Sequence, residues 1–174
     1  DCGLVYVTTD AGKNWQNITP VDLQESQINS IEASRFEQGV VYISATRYKF
    51  NDYASYTYKT TDNGKTWTKI NNGIKNDDFI KVIREDNKNK NILYAGSERG
   101  FYISNDAGTT WKPFQLNLPI VPVTDLMIRD NDLVAATAGR AFWILDDISA
   151  IQQNASFNSI SVPTIITPKN AYKY

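Results

Sequence analysis

The chain contains no histidine and a single cysteine, Cys2. Those two absences exclude a Ser-His-Asp or Cys-His nucleophile, a His-ligated metal and any disulfide within the chain. Charge of one sign is not in excess either. Eighteen Lys+Arg face nineteen Asp+Glu, a net charge of −1, so there is no general basic field to hold nucleic acid or an anionic membrane. Long apolar runs are missing: the longest are short stretches such as 118–123, and no membrane span is expected. The opening residues Asp1-Cys2-Gly3-Leu4-Val5-Tyr6 lack the basic start and apolar run of an export signal. Chemistry is therefore left to carboxylates, hydroxyls, amides and Arg/Lys, with no metal or cofactor expected. Cys2 is expected to be an unpaired bystander, or a thiol whose partner lies elsewhere.

Apolar material is plentiful. Hydrophobic residues make up 41% of the 174, with 10 Tyr, 7 Phe and 4 Trp, enough for an ordered core and too much for disorder. Three octets organise it. They are Thr8-Thr9-Asp10-Ala11-Gly12-Lys13-Asn14-Trp15, Thr60-Thr61-Asp62-Asn63-Gly64-Lys65-Thr66-Trp67 and Ser104-Asn105-Asp106-Ala107-Gly108-Thr109-Thr110-Trp111. All fit [Ser/Thr]-x-Asp-x-Gly-x-[Thr/Asn]-Trp, with Asp10, Asp62 and Asp106 at intervals of 52 and 44 residues. A fixed period of this size marks a repeat architecture.

Each octet has the chemistry of a hairpin turn. The Asp accepts N–H bonds from the residues just after it. The Gly supplies a left-handed backbone angle, and the Trp returns on the next strand to cover apolar surface. Thr8, Asp10, Gly12 and Trp15, Thr60, Asp62, Gly64 and Trp67, and Ser104, Asp106, Gly108 and Trp111 are thus read as structural. A calcium loop needs several carboxylates at alternate positions, and each octet has one. Gly64-Lys65-Thr66 mimics the end of a phosphate loop, but Lys59 stands where the first glycine belongs.

Between the octets, β-branched and aromatic runs alternate with period two. They predict strands at 28–35, 39–46, 55–61 and 66–70, at 79–85, 92–97, 100–104 and 110–115, and at 123–129, 132–137, 140–145 and 148–152. Four antiparallel strands per 40–50 residues are the blade of a β-propeller. The fold class expected is all-β: residues 1–19 the last hairpin of an incomplete blade, 20–71 and 72–116 blades with an Asp box, 117–152 a blade with a degenerate one around Asp146-Asp147. Three and a half blades predict a piece of a larger ring. A four-bladed closed ring would need two further strands, for which the tail is the remaining source. That tail, 153–174, reads as a linker toward another domain, with one possible strand at 161–167.

The octets are those of the Asp-box, or BNR, repeat, and resemble those of sialidases, xyloglucan-cleaving glycosidases and sortilin-type receptors. Tyr58-Lys59-Thr60-Thr61-Asp62, Asp77-Asp78-Phe79, Leu93-Tyr94-Ala95-Gly96, 119–126 and Phe142-Trp143-Ile144-Leu145-Asp146-Asp147 are similar to the end of the propeller region in large exported bacterial proteins labelled "glycosyl hydrolase, BNR repeat" or sortilin-like. The resemblance implies an exported protein, secreted, periplasmic or cell-surface. It implies a propeller that binds or hydrolyses carbohydrate, or else takes a peptide or protein, with its site shared with further blades of the same polypeptide. Where that group often reads Thr-His-Gly-Arg, this chain has Thr137-Ala138-Gly139-Arg140.

The resemblance places ligands on the loops joining second to third strands and blade to blade, away from the octets. The first such loop, 47–56, is rich in rings and charges, and offers Arg47, Tyr48, Lys49, Asp52, Tyr53 and Tyr56. Its counterparts offer Arg99 and Arg140. Flat rings cover sugar C–H faces while polar groups bond hydroxyls, and the same set suits a peptide. Hydrolysis needs two converging carboxylates. Glu98, Asp52 and Asp78 are the catalytic candidates, with Asp77 and Asp125 behind them. Glu98 paired with Arg99 or Arg140 is the competing, purely structural reading. The sequons at Asn17 and Asn154 and the polar turn 86–91 are read as carrying no function.

Overall fold

The computed structural model describes residues 3–153 and 166–167. Cys2, Asn154 and most of the possible strand at 161–167 lie outside them. The described residues form four antiparallel sheets. The first pairs β1 (Tyr6–Val7) with β2 (Gln16–Asn17). The second runs β3 (Gln27–Ala33), β4 (Val41–Arg47), β5 (Asp52–Thr60), β6 (Thr68–Lys69) in that order. The third repeats it with β7 (Ile80–Glu85), β8 (Leu93–Ser97), β9 (Phe101–Ser104) and β10 (Lys112–Pro113). The fourth has β11 (Val123–Arg129), β12 (Asp132–Thr137) and β13 (Phe142–Leu145). These are one half and three successive blades. β3, β7 and β11 lie side by side as their innermost strands, and hydrogen bonds tie one blade to the next there. Arg84 Nε donates to Leu126 O at 3.0 Å, and Ser30 Oγ accepts from Ile83 N at 3.3 Å.

The core lies between blades, because each sheet has two apolar faces. Ile43, Ala45 and Tyr58 pack with Leu23 on Val5 and Ile18 of the half blade. Val40 and Tyr42 meet Ile83, Leu93, Ala95 and Tyr102. Ile92, Tyr94, Phe101 and Ile103 meet Leu126, Ile128, Leu133 and Ala135. The far face of the fourth sheet has no such cover among the described residues. Met127, Val134 and Ile144 make one row across it and Ala136 and Phe142 another, with Phe142 74% exposed.

The octet turns are built alike. At the second, Thr60 Oγ1 donates to Asp62 Oδ1 (2.8 Å) and accepts from Gly64 N (2.9 Å), while Asp62 accepts from Thr66 N (2.9 Å) and Thr66 Oγ1 (2.7 Å). The first and third repeat this with Thr8, Asp10, Gly12 and Asn14, and with Ser104, Asp106, Gly108 and Thr110. The donors from Thr66 hold the Asp62 carboxyl down at about 2. Asp10 is lowered the same way, by the Asn14 amide and side chain. Burial pushes Asp106 upward, but Thr110 and Ser104 outweigh it and the net direction is down. Gly64 sits at φ +84°, and a Cβ there would lie 2.4 Å from Ile18 Cδ1; both facts demand glycine.

Two segments depart from the sequence reading. The expected strand at 148–152 is instead a helix, α1 (Ser149–Gln153). The Asp147 carboxylate accepts from Ser149 N, Ile148 N donates to Asn131 O, and Ile148 before the helix and Ile151 within it are buried against the last two blades. Gln152 Nε2 donates to the buried Asp86 at 3.1 Å. The expected long loop at 47–56 is a single 3₁₀ turn, Tyr48–Phe50, with Asn51 left-handed and β5 already under way at Asp52.

Candidate functional site

At the ends opposite the octet turns, the blades meet around a cleft of about 630 Å³. The local cause is a repeated irregularity. Register shifts between Ile28 and Ser30, between Ile80 and Val82, and between Val123 and Asp125 interrupt the pairing of β3, β7 and β11 at equivalent points. A bulge leaves one residue unpaired and re-aims its side chain. The three residues concerned are Asn29, Lys81 and Thr124, and all three line the cleft.

The rest of the lining comes from hairpin and inter-blade turns. Tyr48 stacks on Phe79 at 5.8 Å and 15°, and Tyr53 leans on the same ring at 6.4 Å and 30°. Phe79 is buried, whereas Tyr48 and Tyr53 are 41% and 49% exposed, so two tyrosine rings present surface on a fixed base. Around them the charges are paired: Lys81 Nζ with Glu98 Oε2 and Arg99 Nη1 with Asp77 Oδ2, each at 2.5 Å. Gln27 and Asn29 add neutral hydrogen-bonding groups.

Of the residues singled out in the sequence, Tyr48, Tyr53, Glu98, Arg99 and Asp77 line this cleft. Lys49 lies beside it, in a hollow of about 180 Å³ that Tyr48 and Gln27 share. Arg47, Asp52 and Tyr56 form a group of their own. Tyr56 OH donates to Asp52 Oδ2 at 2.6 Å, Arg47 Nε donates to the same oxygen at 3.1 Å, and the guanidinium lies over the Phe50 and Tyr56 rings. The Tyr56 hydroxyl, helped by Ala54 N and Arg47, lowers the Asp52 carboxyl, and the same bond raises Tyr56. Asp78 is 3% exposed and accepts from Ser97 Oγ, Arg99 N and Tyr102 OH. Asp125 pairs with Arg84 at 2.8 Å. Arg140 sits in the exposed turn before β13, where its carbonyl accepts from Trp143 Nε1, and it does not line the cleft. Glu98 meets Lys81 rather than Arg99 or Arg140.

Sequence reading had not singled out Phe79, Lys81, Gln27, Asn29 or Thr124 as site residues. Strand alternation assigns Lys81 and Thr124 to plain sheet faces. Only the bulges turn them toward the cleft, and no residue type in these segments announces a bulge.

The likeness to known proteins is one of fold. A family model described as Sortilin-Vps10 (sortilin, neurotensin receptor 3) matches residues 55–137, from β5 to β12. The fold is a β-propeller of the BNR type. Among solved structures, YCF48 bound to D1 peptide superposes with a TM-score of 0.61 at 19% identity, over 83% of this chain and 46% of that one. The GH74 enzyme of Niastella koreensis gives 0.64 at 16% over 84% and 26%, and the GH74 xyloglucanase of Xanthomonas campestris 0.53 at 13% over 84% and 28%. The chain thus spans less than half the length of these propellers. No curated protein matches it significantly in sequence. Among the described residues no helix is long and apolar enough to cross a membrane.

Proposed function

We propose that this BNR propeller arc carries part of a carbohydrate-binding face, centred on Tyr48 and Tyr53, and that it binds without hydrolysing. The observation that carries the reading is the three bulges that aim Asn29, Lys81 and Thr124 beside the two exposed tyrosine rings. Rings offer flat apolar surface to sugar C–H groups, while amide, hydroxyl and ammonium groups bond the hydroxyls. Binding is favoured over hydrolysis because the candidate carboxylates are already engaged. Asp52 is held by Tyr56 and Arg47, Asp78 is buried under three donors, and Glu98 is paired with Lys81. The uncovered apolar face of β11–β13 is suited to a further blade, so the complete ligand face would include residues from blades beyond this arc. An exported location accords with the resemblance.

Titration of the protein with a panel of neutral oligosaccharides tests this. Binding is expected to weaken about 10-fold or more, roughly 1.4 kcal/mol, in Tyr48→Ala and Tyr53→Ala, with no release of reducing ends. Absence of binding by the parent protein at millimolar ligand would refute the carbohydrate reading, and turnover would refute the non-catalytic one. A peptide ligand is the second reading. It is favoured by the charges of both signs on the cleft rim and by the YCF48 likeness, a propeller solved with a peptide.

A further inference from the structure

Two of the octet tryptophans are seated on the blade before their own. Trp67 Nε1 donates to Ile18 O at 2.6 Å, and Trp111 Nε1 donates to Ile70 O at 2.7 Å. The second seat is clamped by the turn that follows Ile70. Trp111 N donates to Asn72 O at 2.8 Å, and a Cβ on Gly73 would fall 2.1 Å from Trp111 O. The clamp is thus the pair Asn72-Gly73, and asparagine is a chemically labile residue. It is most exposed to attack when glycine follows, because glycine has no side chain to keep its nitrogen from the asparagine carboxamide. The chain has one other such pair, Asn63-Gly64.

The fold treats the two pairs in opposite ways. Gly64 N is buried and donates to Thr60 Oγ1 at 2.9 Å. Ile18 closes on the same residue, since a Cβ there would lie 2.4 Å from Ile18 Cδ1. The nitrogen that would attack Asn63 is therefore bonded and walled in, although Asn63 itself is exposed. Asn72-Gly73 has neither restraint. Ile74 N donates to Asn71 O at 3.1 Å and Gly73 has φ +94°. The pair is then the corner of a β-turn, whose hydrogen bond leaves the N–H groups of the two central residues unused. Asn72 and Gly73 are both exposed. Among the described residues, neither Gly73 N nor the Asn72 carboxamide has a hydrogen-bond partner.

We propose that Asn72 is a site of spontaneous covalent modification in the folded protein, and that Asn63 is protected from it. Gly73 N bonds to Asn72 Cγ. Asn72 Nδ2 leaves with the proton from Gly73 N as ammonia, and a succinimide ring is formed. Water then adds to one of the two ring carbonyl carbons and its C–N bond breaks, giving aspartate or isoaspartate. No other reactant is needed. In isoaspartate the main chain runs through the former side-chain carbon. The carbonyl that accepted from Trp111 N becomes a free carboxylate off the main chain, so the clamp on the third octet's tryptophan is rebuilt. This site does not depend on what the tyrosine cleft binds.

Peptide mapping by mass spectrometry tests the assignment, on the full chain held at neutral pH either folded or in guanidinium. In the folded protein, conversion is expected to be about 10-fold or more faster at Asn72 than at Asn63, as the bond on Gly64 N must break first. In guanidinium the two rates should be similar, since neither nitrogen is then held. Isoaspartate in the folded protein, counted by labelled methyl transfer from S-adenosylmethionine with an isoaspartyl methyltransferase, should fall to background in Asn72→Ala. Equal rates at the two asparagines in the folded protein overturn the proposal. So does folding that slows both alike relative to guanidinium, or methyl transfer that persists undiminished in Asn72→Ala.

Discussion

Three glycines hold nearly the same backbone angle in three equivalent turns, which makes their replacement by alanine a controlled comparison. Gly12, Gly64 and Gly108 have φ of +88°, +84° and +91°, so the left-handed strain on a new Cβ, about 1–2 kcal/mol, is common to all. Their surroundings differ. The Cβ at position 64 would fall 2.4 Å from Ile18 Cδ1 and 2.6 Å from Ile18 Cβ. At 108 it would fall 2.9 Å from Ile70 Cδ1, the far end of a flexible side chain, and at 12 it would meet nothing within 4 Å. Overpacking adds about 1–3 kcal/mol. Gly64→Ala should therefore cost about 2–5 kcal/mol, Gly12→Ala only the backbone share, and Gly108→Ala an intermediate amount. Urea denaturation reads these differences, and thermal melting should shift by about 2–4 °C per kcal/mol at this chain length. Shortening Ile70 to Val removes the Cδ1 that Gly108→Ala would strike, so the double variant should recover part of the loss. Equal costs at the three glycines, or no coupling between positions 70 and 108, would refute the claim that each turn packs on its predecessor's isoleucine.

Two other expectations concern the same turns. Asp62 has a folded pKa of about 2, below its unfolded value of 3.8. Its contribution is therefore complete above about pH 4 and lost as pH falls toward 2. Melting curves across that window should show a shallower acid slope in Asp62→Asn than in the parent, and identical slopes would count against the turn as the acid-sensitive element. Trp111→Phe removes the indole donor from the buried Ile70 carbonyl and should cost about 1–3 kcal/mol in chemical denaturation. A neutral result would mean that water or another donor replaces it.

How far the sequence could be read depended on how far each feature reaches along the chain. The octets were legible because the side-chain bonds of Thr60 and Asp62 that shape the turn join residues at most four apart. The strands of the third sheet were legible because apolar β-branched and aromatic residues run through Ile80–Glu85, Leu93–Ser97 and Phe101–Ser104, most of them buried whichever face they take. Residues 148–152 were misread because five residues with two isoleucines suit a strand or a helix turn, and what decides is the burial of Ile148 and Ile151 and the Gln152–Asp86 bond, 66 residues away in sequence. The 47–56 loop was overestimated for a similar reason. Asp52 bonds both Arg47 and Tyr56, which draws the hairpin tight and turns most of a loop into strand. In the cleft, the tyrosines stood out by their type, but their base, Phe79, comes from the next blade. No spacing within one repeat can announce a partner in another.

The tryptophan seats have a direction. Each is a donor in a later blade closing on a carbonyl in an earlier one, Trp67 on Ile18 and Trp111 on Ile70. Such a chain of nearest-neighbour locks behaves as a one-dimensional array with a built-in order of assembly: a blade can be latched only when the one made before it is in place.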